Sequence, residues 1–101
     1  MGARLPIAPE TLAELCRRHR IRRLSLFGSQ LKGTARPDSD VDLLAEFDPD
    51  PAVTLFDVAR IEIELSGLLG GRRVDLRTAG DLSRRFREEV LRTAEPLYVA
   101  G

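Results

Sequence analysis

Three aspartates carry the chemistry open to this sequence. Asp40 and Asp42 stand one residue apart at the head of an apolar run, and Asp75 sits between Val74 and Leu76. In an extended chain alternate side chains share a face, so Asp40 and Asp42 point the same way, about 7 Å apart along the backbone. Two like charges within about 4 Å repel by roughly 4 kcal/mol at an effective dielectric near 20. A chain keeps such a pair most easily with a cation between them, and hard carboxylate oxygens select Mg²⁺ or Mn²⁺. In the Val74-Asp75-Leu76 stretch the apolar residues face one side and the acid the other. If this strand lies beside the first, three carboxylates converge. That is the set required by two metals about 3.5–4 Å apart. Asp40, Asp42 and Asp75 are therefore the expected metal ligands and catalytic residues.

The second half of the chemistry lies upstream. Gly28-Ser29 follows an apolar strand-like run, and ten residues separate Ser29 from Asp40. Glycine lets the backbone turn sharply and approach a ligand closely. Ser29 would then open a short helix or turn over 30–33, offering its hydroxyl and free N–H groups to an anion. Lys32 could assist as a point charge. A phosphate cradle beside a metal-binding acid pair reads as phosphoryl or nucleotidyl transfer. Asp-x-Asp alone is a common turn feature. The full spacing, set between two strand-like runs, is far more specific.

These residues need elements to hold them. Residues 1–8 read as a short leader. Pro9 suits the first turn of a helix, and Leu12, Leu15 and Cys16 recur at helical spacing. The runs 21–27 and 41–47 read as strands, the second apolar on both faces after its acids and so central. Residues 34–38 form a polar loop, and 48–51 a breaker. Thr54 with Asp57 resembles a capping box. The helix that follows carries a stripe of Leu55, Val58, Ile61, Leu65, Leu68 and Leu69. Phe56 and Ile63 fall off that stripe, as extra core or as a surface for a second chain. Gly70-Gly71 ends it. A third strand spans 73–77. Asp81 is the expected N-cap of a last helix bearing Leu82, Phe86, Val90 and Leu91, which Pro96 stops. Leu97-Tyr98-Val99 packs back as an extended tail.

Topology follows from the site. The Gly-Ser turn ends the first strand and the acids begin the second, so the two must run antiparallel to share a ligand. The second reaches the third through a helix, which implies a parallel, right-handed crossover. The expected fold is α/β (α+β): a small mixed sheet of three to four strands backed by helices, one domain over 1–101.

Composition bounds the remaining classes. The chain has 101 residues, 43% of them hydrophobic, and a formal net charge of zero. It is no general nucleic-acid binder, and no direct nucleic-acid contact is expected. It holds no apolar run of membrane-spanning length and no secretory h-region, so a cytoplasmic location is expected. One cysteine, Cys16, excludes an internal disulfide and a cysteine zinc site. Arg17, Arg18, Arg20, Arg22 and Arg23 crowd around His19, where cations favour a helix C-terminus. That cluster reads as a solvated helix end, with steering of an acidic partner or a nucleotide as the alternative.

The string from Gly28-Ser29 to Asp40-Val41-Asp42, with a later acid on another strand, resembles the signature of polymerase-β-type nucleotidyltransferases. More narrowly, the stretch from Leu26-Phe27-Gly28-Ser29 to Glu46-Phe47-Asp48-Pro49 resembles MNT proteins, the minimal nucleotidyltransferases paired with HEPN proteins in prokaryotic toxin–antitoxin modules. The resemblance covers nearly the whole chain. It departs at Leu31 and Lys32, where the family carries a small residue and an arginine; Lys32 keeps the charge without the bidentate fork.

The resemblance implies the nucleotidyltransferase fold, ATP as substrate with Mg²⁺ or Mn²⁺, and a HEPN-family toxin as partner. It also implies transfer of AMP to a tyrosine of that partner. Two alternatives stand beside it: a non-catalytic antitoxin that blocks the toxin by binding, and a nucleotidyltransferase acting on a small molecule. The lack of room for an acceptor domain disfavours the latter. Oligomeric state is left open.

Overall fold

Leu12, Leu15 and Cys16 lie on one face of α1 (Pro9–Arg18), and all three are buried. Pro9 occupies the first turn, where its missing N–H costs nothing. A computed structural model describes residues 6–27, 40–48 and 53–100 of the chain. Gly28, Ser29 and Lys32, with the helix or turn expected over 30–33 and the loop over 34–38, lie outside the described residues. So does most of the leader.

After α1 come β1 (Ile21–Phe27), β2 (Val41–Phe47), α2 (Leu55–Leu68), β3 (Val74–Arg77), a single 3₁₀ turn (Ala79–Asp81), α3 (Arg84–Thr93) and β4 (Glu95–Val99). The strands form one sheet in the order β3-β2-β1-β4. β1 pairs antiparallel with β2 and with β4, while β2 and β3 run parallel. The result is a mixed four-stranded sheet with helices on both faces.

The central position of β2 explains its sequence. Val41, Leu43 and Ala45 face a core that also contains Leu12, Leu15 and Cys16 of α1 and Ile61, Leu65 and Leu69 of the α2 segment. Leu44 faces the other way, packing with Phe27, Leu82 and Val90 under α3. Both faces are covered, so the run reads as nearly continuous apolar residues.

Local signals set the boundaries. Thr54 Oγ1 accepts from the Asp57 N–H, and the Asp57 carboxylate accepts from the Thr54 N–H at 2.9 Å, closing the capping box. The chain leaves α2 through Gly70 and Gly71, both at positive φ. Glu62 on α2 accepts the Leu76 N–H at 2.7 Å, tying the edge strand β3 to the helix.

Five expectations need correction. Asp81 is not the N-cap of α3; Ser83 is, its Oγ accepting from Phe86 N–H. The Asp81 carboxylate instead accepts from the backbone and hydroxyl of Thr78, which stabilises the 3₁₀ turn. Leu55 does not join the buried stripe of α2: at the helix start it is 87% exposed. Leu68, Phe86 and Leu91 are likewise partly exposed, because each lies at the margin of its helix's packed face. The third strand begins at Val74, one residue later than expected. Finally, Pro96 is not what stops the last helix: the extended tail is the fourth strand that the sequence allowed, and Pro96 lies within it. A residue without an N–H is tolerated there because β4 is an edge strand. The chain has already left the helix at Ala94, which adopts an extended conformation.

Candidate active site

The sheet brings two of the three acids together. Asp42 and Asp75 are Cα partners in the parallel β2–β3 ladder, and Phe27, the last residue of β1, is the partner of Asp42 on the other side. The chain therefore leaves β1 toward Gly28 directly beside Asp42. Alternation places Val74 and Leu76 in the core and Asp75 on the opposite face. Asp40 stands exposed one residue ahead of β2.

Among the described residues this end carries three acids, Asp40, Asp42 and Asp75, against the single cation Arg77 that pairs with Asp75. Partial burial raises the Asp42 pKa above its usual value, and the charges of Asp75 and Asp40 raise it further, against an opposing pull from Arg77. Arg77 lies two residues past Asp75 on the same strand face. Its Nε donates to Asp75 Oδ1 and Oδ2 at 3.3 Å each, and its Nη2 donates to Oδ2 at 3.2 Å. The carboxylate in turn holds the guanidinium more firmly protonated.

Phe27, Leu82 and Phe86 complete the surroundings. With Asp42, Asp75 and Arg77 they line a recess of about 240 Å³. Phe27 and Phe86 meet edge to face, ring centroids 6.3 Å apart. An apolar wall beside carboxylates suits a ligand with a flat ring at one end and a charged or hydroxyl group at the other. A larger cavity of about 530 Å³ lies at the far end of β1, bordered by Arg18, His19, Arg60 and Glu64. Its polar groups largely satisfy one another: Glu64 takes Arg18 at 2.9 Å and His19 at 2.7 Å. The acids Asp42 and Asp75 lie at the smaller recess.

The donor chemistry of Asp40, Asp42 and Asp75 fits a hard divalent cation. Their mutual repulsion, which adds to the effect of burial in raising the Asp42 pKa, is what such a cation would relieve. Among the described residues no group of three or more His, Cys, Asp or Glu is drawn close enough to hold a metal ion. The guanidinium of Arg77 occupies Asp75 instead. The sequence reading passed over Arg77, although Asp75-x-Arg77 on one strand was a legible signal: opposite charges two apart on a strand share a face. The aromatic wall left no comparable trace, because Phe27 and Phe86 are 59 positions apart (86 − 27).

An acid-bearing mixed sheet, with Gly28-Ser29 following β1 in the sequence, fits a nucleotidyltransferase-type site. Residues 9–95 match the nucleotidyltransferase domain family, and the chain belongs to that family. It is similar to the protein adenylyltransferase MntA of Thermococcus cleftensis, 41% identical over 88 residues, covering 85% of this chain and 82% of the relative. A relative from Methanocaldococcus jannaschii is 31% identical over 77 residues, 76% of this chain and 80% of its own. Among solved structures, one described as a minimal nucleotidyltransferase superposes with a TM-score of 0.73 at 46% identity, covering 87% of each chain. A toxin–antitoxin structure with AMP-PNP shares the fold at a TM-score of 0.73 and 20% identity, covering 93% of this chain and 75% of that one. The protein is a nucleotidyltransferase. No helix among the described residues is long and apolar enough to cross a membrane.

Proposed function

We propose that this enzyme moves AMP from ATP to a hydroxyl, foremost a tyrosine, on a HEPN-family toxin protein and thereby acts as its antitoxin. The observation that carries the reading is the in-register pairing of Asp42 with Asp75 beside the end of β1. The 41% identity to a protein described as a protein adenylyltransferase supports the choice of substrate class. Complexes of MntA proteins with toxins share the fold and support the choice of partner.

Each residue has a role. Asp40 and Asp42 hold Mg²⁺ or Mn²⁺, with Asp75 as the third ligand. When bound, the cation supplies positive charge to the phosphates and to the entering oxygen. Asp75, facing the recess, accepts the proton of the incoming hydroxyl. Gly28, Ser29 and Lys32 hold the terminal phosphates, which leave as pyrophosphate as the hydroxyl oxygen bonds to the α-phosphorus and the bond to the β-phosphate breaks. The acceptor's ring lies against Phe86 and Leu82, which places its hydroxyl toward Asp75. The exposed apolar pair Phe56 and Ile63 of α2 supports a docking contact with the partner. No membrane anchor is invoked, and the reaction belongs in the cytoplasm.

Intact-mass spectrometry of a co-expressed HEPN partner tests the reading. Adenylate additions are expected with the wild-type chain and none with the Asp40→Ala, Asp42→Ala double variant. A partner that stays unmodified yet inhibited would replace transfer by a purely steric antitoxin.

A further inference from the structure

The site already contains a cation of its own. Arg77 projects from the same face of β3 as Asp75, and its fork engages both oxygens of that carboxylate at 3.2–3.3 Å. These are the oxygens that a divalent cation would use. A guanidinium and a divalent ion on the same two atoms repel each other, so occupation by one opposes the other. Among the described residues, nothing encloses the Arg77 side chain on its solvent side. It is the last residue of β3, its side chain is 46% exposed, and it lines the open recess in front of Asp42. Its planar fork matches a phosphate as well as it matches a carboxylate, which a lysine would not.

We propose that Arg77 is a displaceable counter-ion: it holds Asp75 in the nucleotide-free chain, yields it to the divalent cation, and passes its fork to a phosphate of the bound nucleotide. The proposal rests on the metal-dependent transfer reading given above. It goes further by adding a nucleotide ligand from β3 and by making metal binding and nucleotide binding mutually dependent. Without nucleotide, Arg77 competes with the metal. With nucleotide, the released guanidinium finds a new anion, and the competition becomes assistance. No covalent step is involved, only an exchange of ionic partners.

The consequence is a pair of effects with opposite sign. Calorimetric titration of the full chain with Mn²⁺ alone should show Arg77→Gln binding the metal roughly tenfold more tightly than wild type, as expected from removing a unit charge about 5 Å from a divalent ion. Titration with a non-hydrolysable ATP analogue at saturating Mg²⁺ should show the same variant binding several-fold more weakly. Arg77→Lys keeps the charge but loses the fork. It should stay near wild type toward Mn²⁺ and resemble Arg77→Gln toward the analogue. Affinities that both move in one direction, or do not move, would overturn the proposal. If neither the wild type nor any variant bound Mn²⁺ or the analogue, the metal-dependent reading would fail and this inference with it.

Discussion

Asp42 and Asp75 face each other as partners across a parallel ladder, on the one face of the sheet where their strands carry charge. Like charges directly opposite on neighbouring strands destabilise a sheet. Arg77 offsets part of that cost at Asp75; the Asp42 carboxyl stays above its usual pKa chiefly through burial, and further through the charges of Asp75 and Asp40.

Asp42→Asn should therefore stabilise the protein at neutral pH. The folded state holds the Asp42 proton more tightly than the unfolded chain does, so it binds more protons between the ordinary value of 3.8 and the higher folded pKa. Stability consequently falls as pH rises through that window and stays lowered above it. The asparagine variant escapes this loss. Its advantage should be under about 1 kcal/mol after solvent screening of a partly exposed group. Thermal unfolding of both proteins should show it at pH 7, with the gap closing toward pH 3.5. A variant less stable than wild type at pH 7 would mean that the carboxylate is structural.

The same variant should have no transferase activity, as should Asp75→Asn. Each keeps the side chain's shape and removes a charge from the acid set. Circular dichroism and a labelled-ATP assay on the same preparations separate loss of function from loss of fold. Full activity in either would remove that acid from the mechanism.

Glu62 holds β3 in place through the Leu76 N–H at 2.7 Å. Glu62→Ala leaves that donor without its partner and should cost about 1–3 kcal/mol. Because Leu76 adjoins Asp75, transfer should fall as well. Glu62→Gln, which still presents an acceptor oxygen, should recover most of both. Chemical denaturation with a parallel activity assay distinguishes the two variants.

Cys16 is fully buried, and burial pushes its thiol pKa up to about 12, against a smaller opposing pull from Arg17. Alkylation reagents react with the thiolate, so native protein at pH 8 should resist iodoacetamide while denatured protein reacts readily. Mass spectrometry over a denaturant series would follow this. Rapid labelling of the native chain would place Cys16 at the surface.

Burial makes one core prediction simple. Leu65 sits at 0% exposure between α2 and the sheet, so Leu65→Ala should cost about 2–5 kcal/mol, read as a lowered denaturation midpoint. Thr54→Ala, which opens the capping box, should cost about 1 kcal/mol. An equal loss from both would contradict the depth difference between the two sites.

The acids, the strands that carry them and the capped helix between them were legible in the chain because each depends on local rules. Alternation decides that Asp75 opposes Val74 and Leu76. Side-chain size and polarity decide that the stretch Leu43-Leu44-Ala45 of β2 is buried on both faces. Thr54 and Asp57 find each other across one turn. Tertiary structure decided what depends on pairing between distant segments. That β4 closes the sheet on the free edge of β1 follows from where α3 leaves the chain, which local spacing left open between three and four strands. That Ser83 rather than Asp81 caps α3 follows from which of two good acceptors lies nearest the helix's free N–H groups. That Phe27 and Phe86 meet beside the acids depends on α3 packing over Leu44 and Phe27, a contact no local spacing encodes. The exact facing of Asp42 and Asp75 is likewise a matter of register: each strand's own sequence says which side its acid is on, and only the ladder between them says that the two acids stand side by side.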